Sequence, residues 1–264
     1  MKIGFIGLGN MATAMIGGLL EQGVFQKSEI TGSAKHAVTA EKMQAQFGIE
    51  AGTDNALVAK EADILVLAVK PVFFTEVIGE IREVVRPETL IISIAAGKSL
   101  DWISGAFGKE IKLVRCMPNT PALVGEGCTA VCVNEKVSEE EKELTLKIMS
   151  SFGKACFVEE RMMDAVVAVS GSSPAYVYMF IEAMADAAVL GGMPRTQAYE
   201  FAAQSVLGSA KMVLETGKHP GELKDAVCSP AGTTIEAVKV LEEKGFRGTV
   251  MDAMVACMEK NRSL

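Results

Sequence analysis

The sequence predicts an α/β N-terminal domain, a doubly wound, mostly parallel sheet over residues 1–160, followed by an all-α C-terminal domain over 161–264. Three observations predict it. The chain opens on a short apolar run that ends in a glycine turn, MKIGFIGLGNMA. Apolar runs and helix-like stretches then alternate as far as Val158, the pattern of parallel strands joined by helices. From Arg161 onward no strand-like alternation remains, and apolar residues recur at helical spacing.

The opening run, Lys2–Ile6, reads as a strand, and about Met11–Gln22 as a helix that Gly23 is placed to end. Between them Gly7 permits a tight turn, Gly9 lets backbone approach a pyrophosphate, and Ala12 is small enough for helix to pack on strand. The helix N-terminus adds free N–H groups and a positive dipole end. An export signal is the competing reading of Ile3–Leu20. Five glycines and Asn10 break that run, and no small-residue cleavage site follows it before Glu21 and Gln22.

Bulk properties exclude several classes. Hydrophobic content of 49% and charged content of 22% describe a globular chain. A net charge of -7 and a pI near 5.1 argue against a nucleic-acid surface, and no apolar run reaches the length of a membrane span. Six scattered cysteines read as free thiols in a reducing cytoplasm. Cys128 and Cys132 fall in one strand-like run without a second pair or nearby histidine, so no metal is expected.

In order, Glu29–Thr31 reads as a second strand, whose C-terminal end meets the adenosine ribose in a dinucleotide fold. No acid stands between Thr31 and Ala40; Ser33, Lys35 and His36 occupy that stretch. A hydroxyl and a cation suit a 2′-phosphate, which favours NADPH and leaves NADH as the alternative. A helix Val38–Phe47, a strand Ile49–Ala51 and a helix opening at Thr53-Asp54-Asn55 follow. Asp63–Val69 is a continuous apolar run suited to a strand buried on both faces. It ends in Lys70-Pro71, with Pro71 placed to start the next helix, Phe73–Val84. Strand Thr89–Ile94, turn Ala95-Ala96-Gly97, helix Leu100–Phe107 and strand Ile111–Cys116 come next, then Met117-Pro118-Asn119-Thr120-Pro121. Ligands in such sheets bind beyond the carboxyl ends of the strands, and four small or proline-containing turns share that edge. A capping box at Ser138–Glu141 opens helix Glu139–Ser151, and a strand near Ala155–Val158 closes the domain.

In the helical domain the longest segments are apolar nearly all round, which predicts packing against a second copy. No lysine or histidine lies between Arg161 and Ala210. Alcohol oxidation or carbonyl reduction requires an acid–base group; hydride addition to a protonated C=N does not. Two polar stretches stand out, Ser170–Pro174 and Ser229–Thr234. The second feeds a helix N-terminus, a ready carboxylate site, with ordinary N-capping as the competing reading.

Five motifs in order, GxGxMA at the N-terminus, AVKP at Ala68–Pro71, MPNTPA at Met117–Ala122, SGSxPAY at Ser170–Tyr176 and SPxGTT at Ser229–Thr234, resemble the pyrroline-5-carboxylate reductase family along essentially the whole chain. The resemblance implies a Rossmann domain and a helical dimerisation domain, a homodimer that assembles further into decamers, and NAD(P)H-dependent reduction of 1-pyrroline-5-carboxylate to L-proline, the last step of proline biosynthesis. By that resemblance Ile6, Gly7, Leu8, Gly9, Asn10, Met11, Ala12, Ser33, Lys35, Asn55, Ala68, Val69, Lys70, Pro71, Ala95, Ala96, Gly97, Met117, Pro118 and Asn119 serve the cofactor. Ser172, Ser229, Gly232, Thr233 and Thr234 serve the substrate, with the Thr234 hydroxyl near the ring nitrogen as the catalytic group. Two positions depart from the pattern, Ser173 and Ala231, each where the family has glycine. A β-hydroxyacid dehydrogenase, which relies on a lysine absent here, and a non-catalytic NADPH-binding regulator are the competing readings.

Overall fold

The computed structural model describes residues 1–263 and divides the chain into two compact units, Met1–Ser172 together with the residues from Cys257 on, and Ser173–Ala256.

The first unit is built on eight strands: β1 (Ile3–Ile6), β2 (Ile30–Ser33), β3 (Glu50–Gly52), β4 (Ile64–Leu67), β5 (Leu90–Ser93), β6 (Lys112–Met117), β7 (Gly127–Val133) and β8 (Gly153–Phe157). They form one sheet in the order β3-β2-β1-β4-β5-β6-β7-β8. All pairs are parallel except β6 with β7, which a short connection through Thr120–Val124 joins. Helices α1 (Asn10–Glu21), α2 (Ala37–Phe47), α3 (Asn55–Glu61), α4 (Phe74–Ile81), α5 (Leu100–Phe107) and α6 (Glu139–Met149) fill the crossovers.

Because side chains alternate along a strand, a strand buried on both faces feeds two cores. Ile64 and Val66 of β4 join Met15, Ile16 and Leu19 of α1 and Ile148 of α6. Leu65 and Leu67 join Phe74, Ile78 and Ile81 of α4 and Ile103 of α5. Local chemistry sets the helix ends. The Asp54 carboxylate accepts from the Leu57 N–H (2.9 Å), Ser138 and Glu141 form the expected capping box, and Gly48 and Gly108 close α2 and α5 in left-handed conformation.

Three local details depart from the sequence reading or add to it. Pro71 opens a single 3₁₀ turn, Pro71–Phe73, so α4 begins at Phe74 and ends at Ile81. The Ser170–Gly171 stretch does not interrupt helical structure: a π-helical turn, Val167–Gly171, lies between α7 (Met163–Val166) and α8 (Ser173–Leu190). Lys218–Gly221 leads into a helix start. The His219 imidazole accepts from the Gly221 N–H (3.0 Å) and caps α10 (Pro220–Val227), with Pro220 in its first turn.

The second unit holds the rest of α8, α9 (Arg195–Thr216), α10, α11 (Thr233–Glu243) and most of α12 (Phe246–Arg262). Helices α8 and α9 touch through small residues, Ala185, Ala198 and Ala202, and an Arg195–Asp186 ion pair. Large apolar side chains lie exposed, among them Leu190, Phe201, Met179 and Met251. The last residues of α12 belong to the first unit. There Asn261 Nδ2 donates to Asp164 (2.7 Å) and Arg262 pairs with the same carboxylate (2.8 Å), holding its pKa below the usual carboxylate value.

All six cysteines are free thiols. Burial pushes Cys132 up to about 11 and Cys116 higher still. Among the described residues no group of three or more histidine, cysteine or acidic side chains could hold a metal ion, and no helix is long and apolar enough to cross a membrane.

Candidate functional site

The strand order reverses between β1 and β4, and ligands of doubly wound sheets bind outside the carboxyl ends of the strands at such a point. A cleft of about 810 Å³ lies there. Its floor is the turn after β1. Gly7 has φ +96°, and a Cβ on it would stand 2.7 Å from the Ala68 carbonyl oxygen, so only glycine fits. Gly9 differs: a Cβ there meets nothing within 4 Å. Its backbone faces open space, as a turn that admits a phosphate closely must. Gly9 is also the N-cap of α1 and offers no capping side chain, and no acid occupies the first turn. The N–H groups of that turn lack intrahelical partners.

Around this floor the cleft brings together Gly7, Leu8, Gly9, Ser33, Lys35, Asn55, Ala68, Val69 and Lys70 from the predicted set. At the end of β2 the buried Ser33 hydroxyl donates to Asn55 Oδ1 (2.7 Å), and Asn55 Nδ2 donates to Glu80 Oε2 (2.6 Å). The Lys35 ammonium lies 5.1 Å from the centroid of the Phe73 ring, a cation–π distance. His36, Thr39, Thr53, Phe73, Glu76 and Glu80 also line the cleft, and none of these is in the predicted set. Glu76 and Glu80 were legible in principle, because they are four apart on the polar side of an amphipathic α4 and so share one face.

Other predicted cofactor residues lie outside this lining. Ile6 and Ala12 are buried in β1 and α1. Asn10 and Met11 form the start of α1, and Pro71 begins the turn before α4. Ala95, Ala96 and Gly97 come after β5, Met117 ends β6 and Pro118 stands just beyond it. Asn119 is buried and its amide is committed at both ends: Nδ2 donates to the Ser170 carbonyl (3.0 Å), and Oδ1 accepts from the Cys128 N–H (2.8 Å). A groove of about 900 Å³ between α1 and the Ala122–Glu126 loop contains none of the predicted residues.

In the helical unit, Ser229–Gly232 folds into a turn closed by the Gly232 N–H donating to the Ser229 carbonyl (3.0 Å). Ala231 has φ +56°, the one left-handed non-glycine residue among those described. Gly232 is the N-cap of α11, and a Cβ on it would stand 2.3 Å from the Ser229 hydroxyl. A side chain at Gly232 would have to displace the Ser229 hydroxyl, which folds over the helix start. Thr233 and Thr234 occupy the first turn, whose N–H groups point out of the helix N-terminus. Ser172 belongs to the first unit, where its hydroxyl accepts from the Cys257 thiol (3.3 Å).

A doubly wound sheet with a glycine turn at its switch point, carried with a separate helical unit, defines a dinucleotide-dependent oxidoreductase. The family profile described as pyrroline-5-carboxylate reductase dimerisation matches residues 160–264, and that described as NADP oxidoreductase, coenzyme F420-dependent, matches residues 2–97. The pyrroline-5-carboxylate reductase of Escherichia coli (strain K12) is 55% identical over 263 residues, covering 100% of this chain and 98% of the relative. The Coxiella burnetii enzyme structure superposes with a TM-score of 0.92 at 34% identity, covering 99% of this chain and 97% of that one. A Plasmodium falciparum pyrroline carboxylate reductase with NADP bound gives 0.90 at 33% identity, covering 100% and 97%. The chain belongs to the pyrroline-5-carboxylate reductase family and is an oxidoreductase of that activity.

Proposed function

We propose that the chain reduces 1-pyrroline-5-carboxylate to L-proline, the closing step of proline biosynthesis, with NADPH preferred and NADH accepted. The observation that carries this reading is the pairing of an open glycine turn at Gly9 with a capless helix start at Gly232–Thr234, in a chain without lysine or histidine from Arg161 to Ala210. The first suits a pyrophosphate, the second a carboxylate, and the absence of an acid–base group suits an imine.

When bound, the cofactor supplies hydride to the imine carbon. The backbone at Gly7, Leu8 and Gly9 and the N-terminus at Asn10, Met11 and Ala12, behind Ile6, hold its pyrophosphate. Ser33, Lys35 and Asn55 lie toward the ribose. Ala68, Val69, Lys70 and Pro71, with Ala95, Ala96, Gly97, Met117 and Pro118, form the edge along which it extends. Asn119 braces the loop after β6 from behind.

On the substrate side, the N–H groups of Thr233 and Thr234 and the turn at Ser229 and Gly232 bind the carboxylate. The Thr234 hydroxyl orients the ring nitrogen, and Ser172 contributes a further hydroxyl. The nitrogen's proton comes from solvent or from the substrate. Functionally the chain divides at 160/161 into cofactor and substrate domains. The dimerisation profile and the exposed apolar side chains of the helical unit support a homodimer; a decamer as the higher form and a place in the cytoplasm complete the proposal. Loss of NADPH absorbance on adding fresh pyrroline-5-carboxylate, with proline as product, is the expected result; unchanged absorbance contradicts the reading.

A further inference from the structure

Glu80 sits at the edge of the cleft, outside every motif that marks the family, yet it ends the hydrogen-bond chain that begins at the ribose strand. We propose that Glu80 is a specificity-determining residue that, acting through Asn55, limits the preference of the cleft for the 2′-phosphate of the cofactor. The inference rests on the reading that this cleft takes NAD(P)H.

The polarity of the chain follows from chemistry. A carboxylate only accepts hydrogen bonds, so the Asn55 atom 2.6 Å from Glu80 is Nδ2, the donor. Oδ1 then faces Ser33, which commits its single proton to it at 2.7 Å. Ser33 retains only lone pairs, and one of the two Asn55 amide protons is taken. A ribose 2′-hydroxyl tolerates such a setting, because it both donates and accepts. A 2′-phosphate offers acceptors, so it needs donors, and it carries negative charge. Two carboxylates, Glu76 and Glu80, line the same cleft and repel it, balancing the cations of Lys35 and Lys70. Lys35 is itself placed over the Phe73 ring.

Glu80→Gln removes one charge and reverses the constraint. A glutamine amide can donate to Asn55 Oδ1, so the Asn55 amide can turn, give Nδ2 to Ser33 and free the serine proton. Direct fluorescence titration with NADPH and with NADH, without substrate or turnover, reads the effect. Glu80→Gln is expected to tighten NADPH relative to NADH on the order of ten-fold, as for one hydrogen bond to a charged group. Glu80→Asp, which keeps the acceptor, is expected to keep the wild-type ratio. In an Asn55→Ala background the same Glu80→Gln change is expected to move the ratio by clearly less, the part that charge removal alone supplies. An unchanged ratio in Glu80→Gln overturns the proposal. So does a gain of the same size without Asn55, which would mean simple charge removal. Wild-type protein that binds neither nucleotide would instead overturn the underlying cofactor reading, a result distinguishable from both.

Discussion

The two glycines of the first turn carry opposite burdens. Gly7 is fixed by the protein, since its left-handed φ and the Ala68 carbonyl exclude any side chain. Gly9 has open space where a Cβ would stand, so on the proposed reading it is the approaching pyrophosphate that requires glycine there. Gly7→Ala is therefore expected to lose about 2 kcal/mol or more of stability, seen as a lower melting temperature. Gly9→Ala is expected to keep the wild-type melting temperature while weakening NADPH binding in the same titration; tight binding by Gly9→Ala would contradict the assignment. Ala231 offers a test of the substrate turn. Left-handed backbone is unfavourable for alanine, and glycine relieves it at some entropic cost to folding, so Ala231→Gly should raise stability by about 1 kcal/mol, measured by thermal or urea melts. Thr234→Ala should lower kcat/KM on the order of 10- to 1000-fold, as for loss of a contact to developing charge. Near wild-type kinetics would remove Thr234 from its role. At this scale the sequence marked glycines and hydroxyls through their motifs, whereas Glu80 offered only its place beside Glu76 on one face of α4. Its hydrogen bond to Asn55 joins residues 25 apart, a contact the spacing does not show.

Strands and helices of the first domain were readable because β4 is an unbroken apolar run, β5 is one up to Ser93, and Ser138, Asp54 and Gly108 carry explicit end signals. What escaped was subtler backbone geometry. A proline in the first turn admits α and 3₁₀ alike, so Pro71 could not show that α4 starts three residues later. The π turn at Val167–Gly171 depends on an extra residue in a helical path, which periodicity registers only as a break. His219 caps α10 through one ring nitrogen, which accepts from the Gly221 N–H. The return of α12 to Asp164 was equally invisible, being a contact across 97 positions. It has a pH signature. The Arg262 guanidinium, with Asn261, lowers the Asp164 pKa below 3.8, so the folded state gains from this carboxylate above the unfolded value and loses the gain as pH falls through the depressed one. Both side chains are partly exposed, so the contribution is modest and screened. Asp164→Asn should be less stable than wild type near neutral pH, with the gap closing below about pH 4 in urea melts. A gap that is constant with pH would contradict the ion pair.

On the scale of the whole molecule the proposed chemistry draws on both units, the cleft at the switch point of the sheet for the cofactor and the start of α11 in the helical unit for the carboxylate. The helical unit has a core of three fully buried alanines and many exposed large apolar side chains, and such a surface is more than an isolated soluble domain ordinarily leaves in water. Sedimentation equilibrium is expected to give a mass that is a multiple of 28.0 kDa, and a monomer at working concentration would contradict the proposed assembly. The central claim is that this pairing of sites reduces a carboxylate-bearing cyclic imine by hydride transfer without a lysine or histidine acid. The most direct test is turnover of 1-pyrroline-5-carboxylate with NADPH deuterated at the transferable position, followed by mass spectrometry of the product. The account predicts L-proline carrying one deuterium on the carbon that was double-bonded to nitrogen. Proline without deuterium, or no proline, would contradict it.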